Sequence, residues 1–127
     1  GYECEYDEIE LESFLPESCL QSSSLEDFYQ KVEQEEEHFK KLYEDANEQN
    51  ERLKVVATYK NGKGSVKLEA IDSKHPFYTL EGKDNIVLFY TNRYKEQPMV
   101  IKGAGAGADV TASGIFADVL RIAQSDL

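Results

Sequence analysis

The run from Met99 to Ala117, Met-Val-Ile-Lys-Gly-Ala-Gly-Ala-Gly-Ala-Asp-Val-Thr-Ala-Ser-Gly-Ile-Phe-Ala, joins an apolar strand to a helix through a glycine loop. Gly103, Gly105 and Gly107 alternate with alanines alone. Such a loop lets backbone approach a ligand closely and takes up positive φ without steric cost. The helix that follows points unpaired N–H groups back at it, so a phosphate or a cofactor ring could be cradled there. A close-packed strand-to-helix turn without a ligand is the plainer alternative, because glycine loops are common punctuation.

Gly103, Gly105 and Ala108 fit the G-x-G-x-x-G/A dinucleotide pattern, but the context argues against a Rossmann unit. That unit needs a second parallel strand with an acidic residue about 20 residues downstream. Here Leu127 is reached while the helix pattern still runs. Any contact with a dinucleotide is therefore expected from outside a nucleotide-binding fold.

Upstream, Tyr6 to Leu15 alternates charged and apolar residues and reads as an edge strand that Pro16 ends. Ser24-Leu-Glu-Asp27 reads as a capping box opening one long helix. Its stripe is Leu25, Phe28, Val32, Phe39, Leu42, Tyr43 and Ala46, interrupted at Glu35 and Glu36. Leu53–Tyr59 and Ser65–Ile71 read as strands around Asn61-Gly62, the strongest short hairpin signal. Further strands are expected at Ile86–Thr91 and Met99–Lys102. The fold class is α+β: a mostly antiparallel sheet with a long acidic helix, and a C-terminal helix after the glycine-rich loop. Tyr59, Phe77, Tyr78, Phe89 and Tyr90 are expected to supply much of the core. At 127 residues and 40% apolar, residues 1–127 are read as one domain burying about two-thirds of its surface.

Charge is unevenly spread: residues 1–51 carry 17 acidic and 3 basic side chains, and residues 52–127 carry 8 and 11. An acidic field of that kind excludes a phosphate-backbone or anionic-membrane partner, so no nucleic acid and no membrane are expected. There is no initiator Met, signal-like run or membrane-length apolar stretch, which leads to a cytoplasmic expectation. Cys4 and Cys19 are read as free thiols. Glu35-Glu-Glu37-His38 could meet a cation, but a solvated helix face explains it better and no metal is expected. His75-Pro76 has no nucleophile in its sequence neighbourhood and reads as a turn. Asp109 is expected to cap the N–H groups of Val110 to Ala112. The final helix carries Val110, Ile115, Phe116, Val119, Leu120, Ile122 and Ala123, an apolar set too wide for one stripe, so a second partner is expected to cover it.

Gly103-Ala-Gly-Ala-Gly-Ala-Asp-Val-Thr-Ala-Ser-Gly-Ile-Phe-Ala-Asp-Val-Leu-Arg-Ile-Ala resembles the C-terminal signature of homoserine dehydrogenases, above all the homoserine dehydrogenase half of bifunctional aspartokinase/homoserine dehydrogenases. The match is specific over residues 98 to 124. It runs more loosely upstream through Ile-Glu-Leu-Glu-Ser-Phe-Leu-Pro, His-Pro-Phe-Tyr and Asn-Ile-Val-Leu-Phe-Tyr-Thr. Asp109-Val-Thr-Ala-Ser113, where many single-function relatives have Pro-Thr-Ala-Ser, favours the bifunctional type.

The resemblance implies the last part of the substrate and dimerisation region of an enzyme that interconverts L-homoserine and L-aspartate 4-semialdehyde with NAD(P), in threonine and methionine biosynthesis. The family's catalytic lysine and substrate carboxylates lie before the matched region, so no catalytic residue is carried over. By the same resemblance the loop lies near the nicotinamide end of the cofactor. Gly107 is the best-matched contact, with Gly105, Ala106, Asp109 and Thr111 beside it. A missing N-terminal nucleotide-binding domain and a second copy, in a homodimer, are the implied partners. The chain alone is expected to be inactive and to hold no cofactor. A stand-alone acidic α+β interaction module is the alternative, and it should cover its own last helix where a part of an enzyme would leave that helix bare.

Overall fold

The computed structural model describes residues 4–125. Contacts divide the chain into two compact units, Gly1–Tyr78 and Thr79–Leu127, where the sequence suggests one domain.

The first unit contains β1 (Glu10–Leu11), α1 (Glu17–Leu20), α2 (Leu25–Gln34), α3 (Glu36–Glu48), β2 (Arg52–Lys60) and β3 (Lys63–Ile71). Its centre is the β2–β3 hairpin, whose antiparallel register runs from Lys60↔Lys63 to Arg52↔Ile71. Asn61 (φ 54) and Gly62 (φ 82) form its two-residue turn. Positive φ at both central residues is the type I′ geometry, whose twist matches that of the flanking strands. β1 adds a parallel edge through Glu10↔Ser65 and Leu11↔Val66, giving the order β1-β3-β2.

The expected strand over Tyr6–Leu15 shrinks to those two residues, with a 3-10 turn at Tyr6–Glu8 before them. Alternation marks a sequence able to lie at a sheet edge, yet only Glu10 and Leu11 find ladder partners.

The expected single long helix is two. It breaks at Glu35, whose φ of −94° and ψ of 18° leave the helical region. The cause lies on the stripe itself: Phe28, Val32, Phe39 and Leu42 are half-buried, and Glu35 takes the inward place between them. Its carboxylate there accepts the Ser18 hydroxyl at 2.6 Å, because a carboxylate turned inward needs a donor. Leu25 and Tyr43, expected on the stripe, are exposed.

The helix start is as read, with one change. Ser24 Oγ accepts Asp27 N–H at 3.1 Å, whereas the Asp27 carboxylate reaches back one residue further, to Ser23 N–H at 2.8 Å. The Ser23 amide, with Lys31 at 3.0 Å, holds the Asp27 carboxyl below the usual carboxylate range. Ser24→Ala is expected to cost about 1 kcal/mol of unfolding free energy, read from the urea midpoint of the chain, and Ser24→Asp to restore it.

Among the described residues, those buried are Cys19, Ala46, Val56 and Ile71, all in the first unit. The Cys19 sulfur accepts the Ser18 hydroxyl at 4.0 Å, and both Cys4 and Cys19 are free. The expected aromatic core is not there. Tyr59, Phe89 and Tyr90 are exposed, and Phe77 and Tyr78 are half-buried. Tyr78 lies under the Arg52 guanidinium, 4.5 Å from the ring centroid, where an aromatic face serves a cation better than it would serve a core.

A 3-10 turn at Pro76–Thr79 spans the boundary, and the second unit holds β4 (Asp84–Phe89), β5 (Met99–Ala104) and α4 (Ala108–Ser125). β4 and β5 form their own two-stranded antiparallel sheet, with Asp84↔Ala104 and Phe89↔Met99 at its ends. The single sheet expected from sequence is thus a three-stranded and a two-stranded one. No residue of this unit is fully buried among those described. Among the described residues, no helix is long and apolar enough to cross a membrane.

Candidate functional site: the glycine loop

Strand β5 runs further than its apolar residues suggest, through Gly103 and Ala104, so the loop proper is Gly105-Ala106-Gly107. Gly105 N–H donates to the Lys83 carbonyl at 3.1 Å, pinning the loop to the turn ahead of β4. A Cβ on Gly105 would overlap the Asn85 side-chain amide. Gly107 stands at φ +137°, a conformation that L side chains rarely adopt, and a Cβ there would lie 3.4 Å from Lys83 Nζ. Two glycines therefore face two polar side chains, and the backbone is bare where those side chains reach it.

Thr111 N–H bonds to the Gly107 carbonyl at 3.1 Å, the first bond of α4. Gly107 thereby occupies the capping position that the sequence assigns to Asp109. The helix starts earlier than expected, because the turn is made at Gly107, and Asp109 falls inside the first turn. There its charge faces the positive end of the helix without capping it. The N–H groups of Ala108, Asp109 and Val110 precede that first bond and have no carbonyl within the helix.

The five residues singled out from sequence are gathered here: Gly105, Ala106 and Gly107 in the loop, Asp109 and Thr111 in the turn that follows. Asp109 and Thr111, two positions apart on a helix, leave it on different sides. Sequence reasoning missed Lys83 and Asn85. Nothing in Glu81-Gly-Lys-Asp-Asn85 marks them, and they meet the loop only through the β4–β5 register, in which Asn85 faces Gly103.

The other candidates resolve into structural roles. His38 Nε2 donates to the Phe14 carbonyl at 3.0 Å, in a groove of about 380 Å³ that it lines with Glu35, Phe14, Leu15 and Leu42. Among the described residues, no three His, Cys, Asp or Glu side chains are placed to hold a metal ion. His75 Nδ1 accepts Phe77 N–H at 3.2 Å and its ring packs edge-on against Phe77, as a turn residue does. The last helix is bare: Ile115 is 63% exposed, Phe116 62% and Val119 54%.

A family model described as homoserine dehydrogenase matches residues 1–120. The chain belongs to the homoserine dehydrogenase family. It is 41% identical over 126 residues to the bifunctional aspartokinase/homoserine dehydrogenase 2, chloroplastic, of Zea mays, a match covering 98% of this chain and 14% of that one. It is 36% identical over 124 residues to the bifunctional enzyme of Haemophilus influenzae, covering 98% and 15%. To the homoserine dehydrogenase of Schizosaccharomyces pombe it is 36% identical over 114 residues, covering 88% and 30%. The chain thus spans less than a third of these homoserine dehydrogenases. Among solved structures, a Candida auris protein of unknown function superposes with a TM-score of 0.77 at 36% identity, over 93% of this chain and 33% of that one.

Proposed function

We propose that this homoserine dehydrogenase chain forms one wall of an NAD(P) and homoserine site in an enzyme that interconverts L-homoserine and L-aspartate 4-semialdehyde. In the oxidative direction the terminal carbinol carbon of homoserine gives up a hydride and its hydroxyl a proton, leaving the aldehyde. NAD(P), when bound, supplies the hydride acceptor. The residues present fit such a group at Gly107, whose φ of +137° strains any side chain and whose bare backbone leaves a cradle, open to Lys83, that a Cβ would fill. That cradle is the observation that carries the reading.

In it, Gly105, Ala106 and Gly107 lie against the nicotinamide end, and Asp109 and Thr111 flank it. The loop's part is to set distance and exclude water. The acid/base group that moves the proton is supplied by residues outside this chain. The bare apolar face of α4 supports a nucleotide-binding domain as its cover, and it speaks against the stand-alone interaction module. The reading also includes a homodimer, an attached aspartokinase, and service in threonine and methionine biosynthesis in the cytoplasm. The Zea mays relative bears a chloroplastic name. Neither a nucleic acid nor a membrane is a partner in it.

A chimaera tests the reading: the Zea mays enzyme with its matched segment replaced by this chain. Homoserine-dependent NADP reduction within about tenfold of the parent is expected, with none from this chain alone; tenfold corresponds to about 1.4 kcal/mol in the barrier. A chimaera that retains aspartokinase activity but reduces no NADP overturns it.

A further inference from the structure

Two lysines lie near the glycine loop, and they differ in one respect. Lys102 on β5 is occupied: its ammonium is 3.7 Å from the Asp84 carboxylate and donates to the Thr79 carbonyl at 3.3 Å. Lys83 makes no side-chain hydrogen bond or ion pair with any described residue, although its own carbonyl fastens Gly105. Its ammonium lies 3.4 Å from where a Gly107 side chain would begin. Any longer residue at position 107 would fill the space between that ammonium and the loop.

The groups around this space are mostly donors: the Lys83 ammonium and the first-turn N–H groups of Ala108, Asp109 and Val110. Of the carboxylates nearby in sequence, Asp84 lies 3.7 Å from the Lys102 ammonium instead, and neither it nor Asp109 forms an ion pair with Lys83. A ligand seated there is best matched by an oxyanion, since a charge-assisted N–H···O⁻ bond is about twice as strong as a neutral one. Lysine suits a phosphate or carboxylate as a point charge.

We propose that Lys83 is a ligand-contact residue of the glycine loop, taking an oxyanion of the bound reactants. This rests on the reading of the loop as a wall of the NAD(P) and homoserine site. Two groups share the required chemistry, the dinucleotide pyrophosphate and the α-carboxylate of the amino-acid substrate. Asn85 contacts the loop rather than the ligand in this arrangement, since its amide fills the space beside the Gly105 Cα.

The test uses the chimaeric enzyme. Lys83→Met is expected to raise one Michaelis constant about tenfold, the size of one lost charged hydrogen bond, with kcat within about twofold. Lys83→Arg should keep it near the unsubstituted value. NADPH binding, followed by its fluorescence at increasing salt, gives a readout independent of turnover. A weaker NADPH affinity with a flatter salt dependence, together with a raised KM for NADP, assigns the pyrophosphate. A raised KM for homoserine with unchanged NADPH binding assigns the carboxylate. Unchanged values of all three in Lys83→Met overturn the proposal and leave the wall reading standing. Failure of the unsubstituted chimaera to reduce NADP removes both, and is seen before any substitution is made.

Discussion

Gly107→Val in the chimaeric enzyme is expected to lower kcat/KM for homoserine-dependent NADP reduction by about a hundredfold. At φ +137° a β-branched residue is a true outlier, and holding a side chain in such a region costs on the order of 1–3 kcal/mol. The valine would also enter the space beside Lys83 Nζ. The loop relieves both by moving, and because Gly107 carries the first hydrogen bond of α4, the helix start moves with it. With tenfold per 1.4 kcal/mol, a displacement costing about 3 kcal/mol gives the stated loss. Gly103→Val is the control: Gly103 lies within β5 and no atom stands within 4 Å of its absent Cβ. Valine is at home in a strand, so that variant should stay within about twofold of the unsubstituted enzyme. Equal losses at 103 and 107 would show that the loop's conformation is not what matters.

Ile71→Ala is expected to remove about 3 kcal/mol of stability from the first unit. Ile71 is 5% exposed and closes the β2–β3 hairpin opposite Arg52. Cutting a buried isoleucine to alanine costs about 2–5 kcal/mol, through lost transfer energy and the cavity left behind. A domain rarely has more than about 5–15 kcal/mol in total, and here Ile71 is one of four buried residues among those described, so a large fraction is lost. Urea unfolding followed by circular dichroism should show a midpoint lowered by more than about 1 M at an unchanged slope. Val55→Ala, in the same hairpin but 61% exposed, should change stability by less than about 0.5 kcal/mol. If the two variants unfold alike, the side of the hairpin that holds the core has been assigned wrongly.

What could be read without coordinates was what local chemistry decides. Asn61-Gly62 dictates its own dihedrals, and the hairpin and its two-residue turn follow. Ser24 and Asp27 mark a helix start because a helix must find acceptors for its first N–H groups. What could not be read depends on partners distant in the chain. The Glu35 break turns on whether an inward carboxylate finds a donor, and Ser18 supplies it from 17 residues away. The aromatic residues promised a core by composition, but burial is settled by what covers them, and most of theirs is not covered. In the candidate site, the glycines announced themselves. Lys83 and Asn85 did not, because their nearness to the loop follows from strand register alone.

The β2–β3 turn also sets an order of assembly. Zippering from Lys60↔Lys63 outward to Arg52↔Ile71 joins residues at most 19 positions apart, so each new ladder bond closes a short loop at little entropic cost. The parallel pairing of Glu10 with Ser65 spans 55 positions and gains two residues of ladder. The hairpin is therefore the template on which the amino-terminal edge is laid down, and that edge is the part of the sheet that frays first.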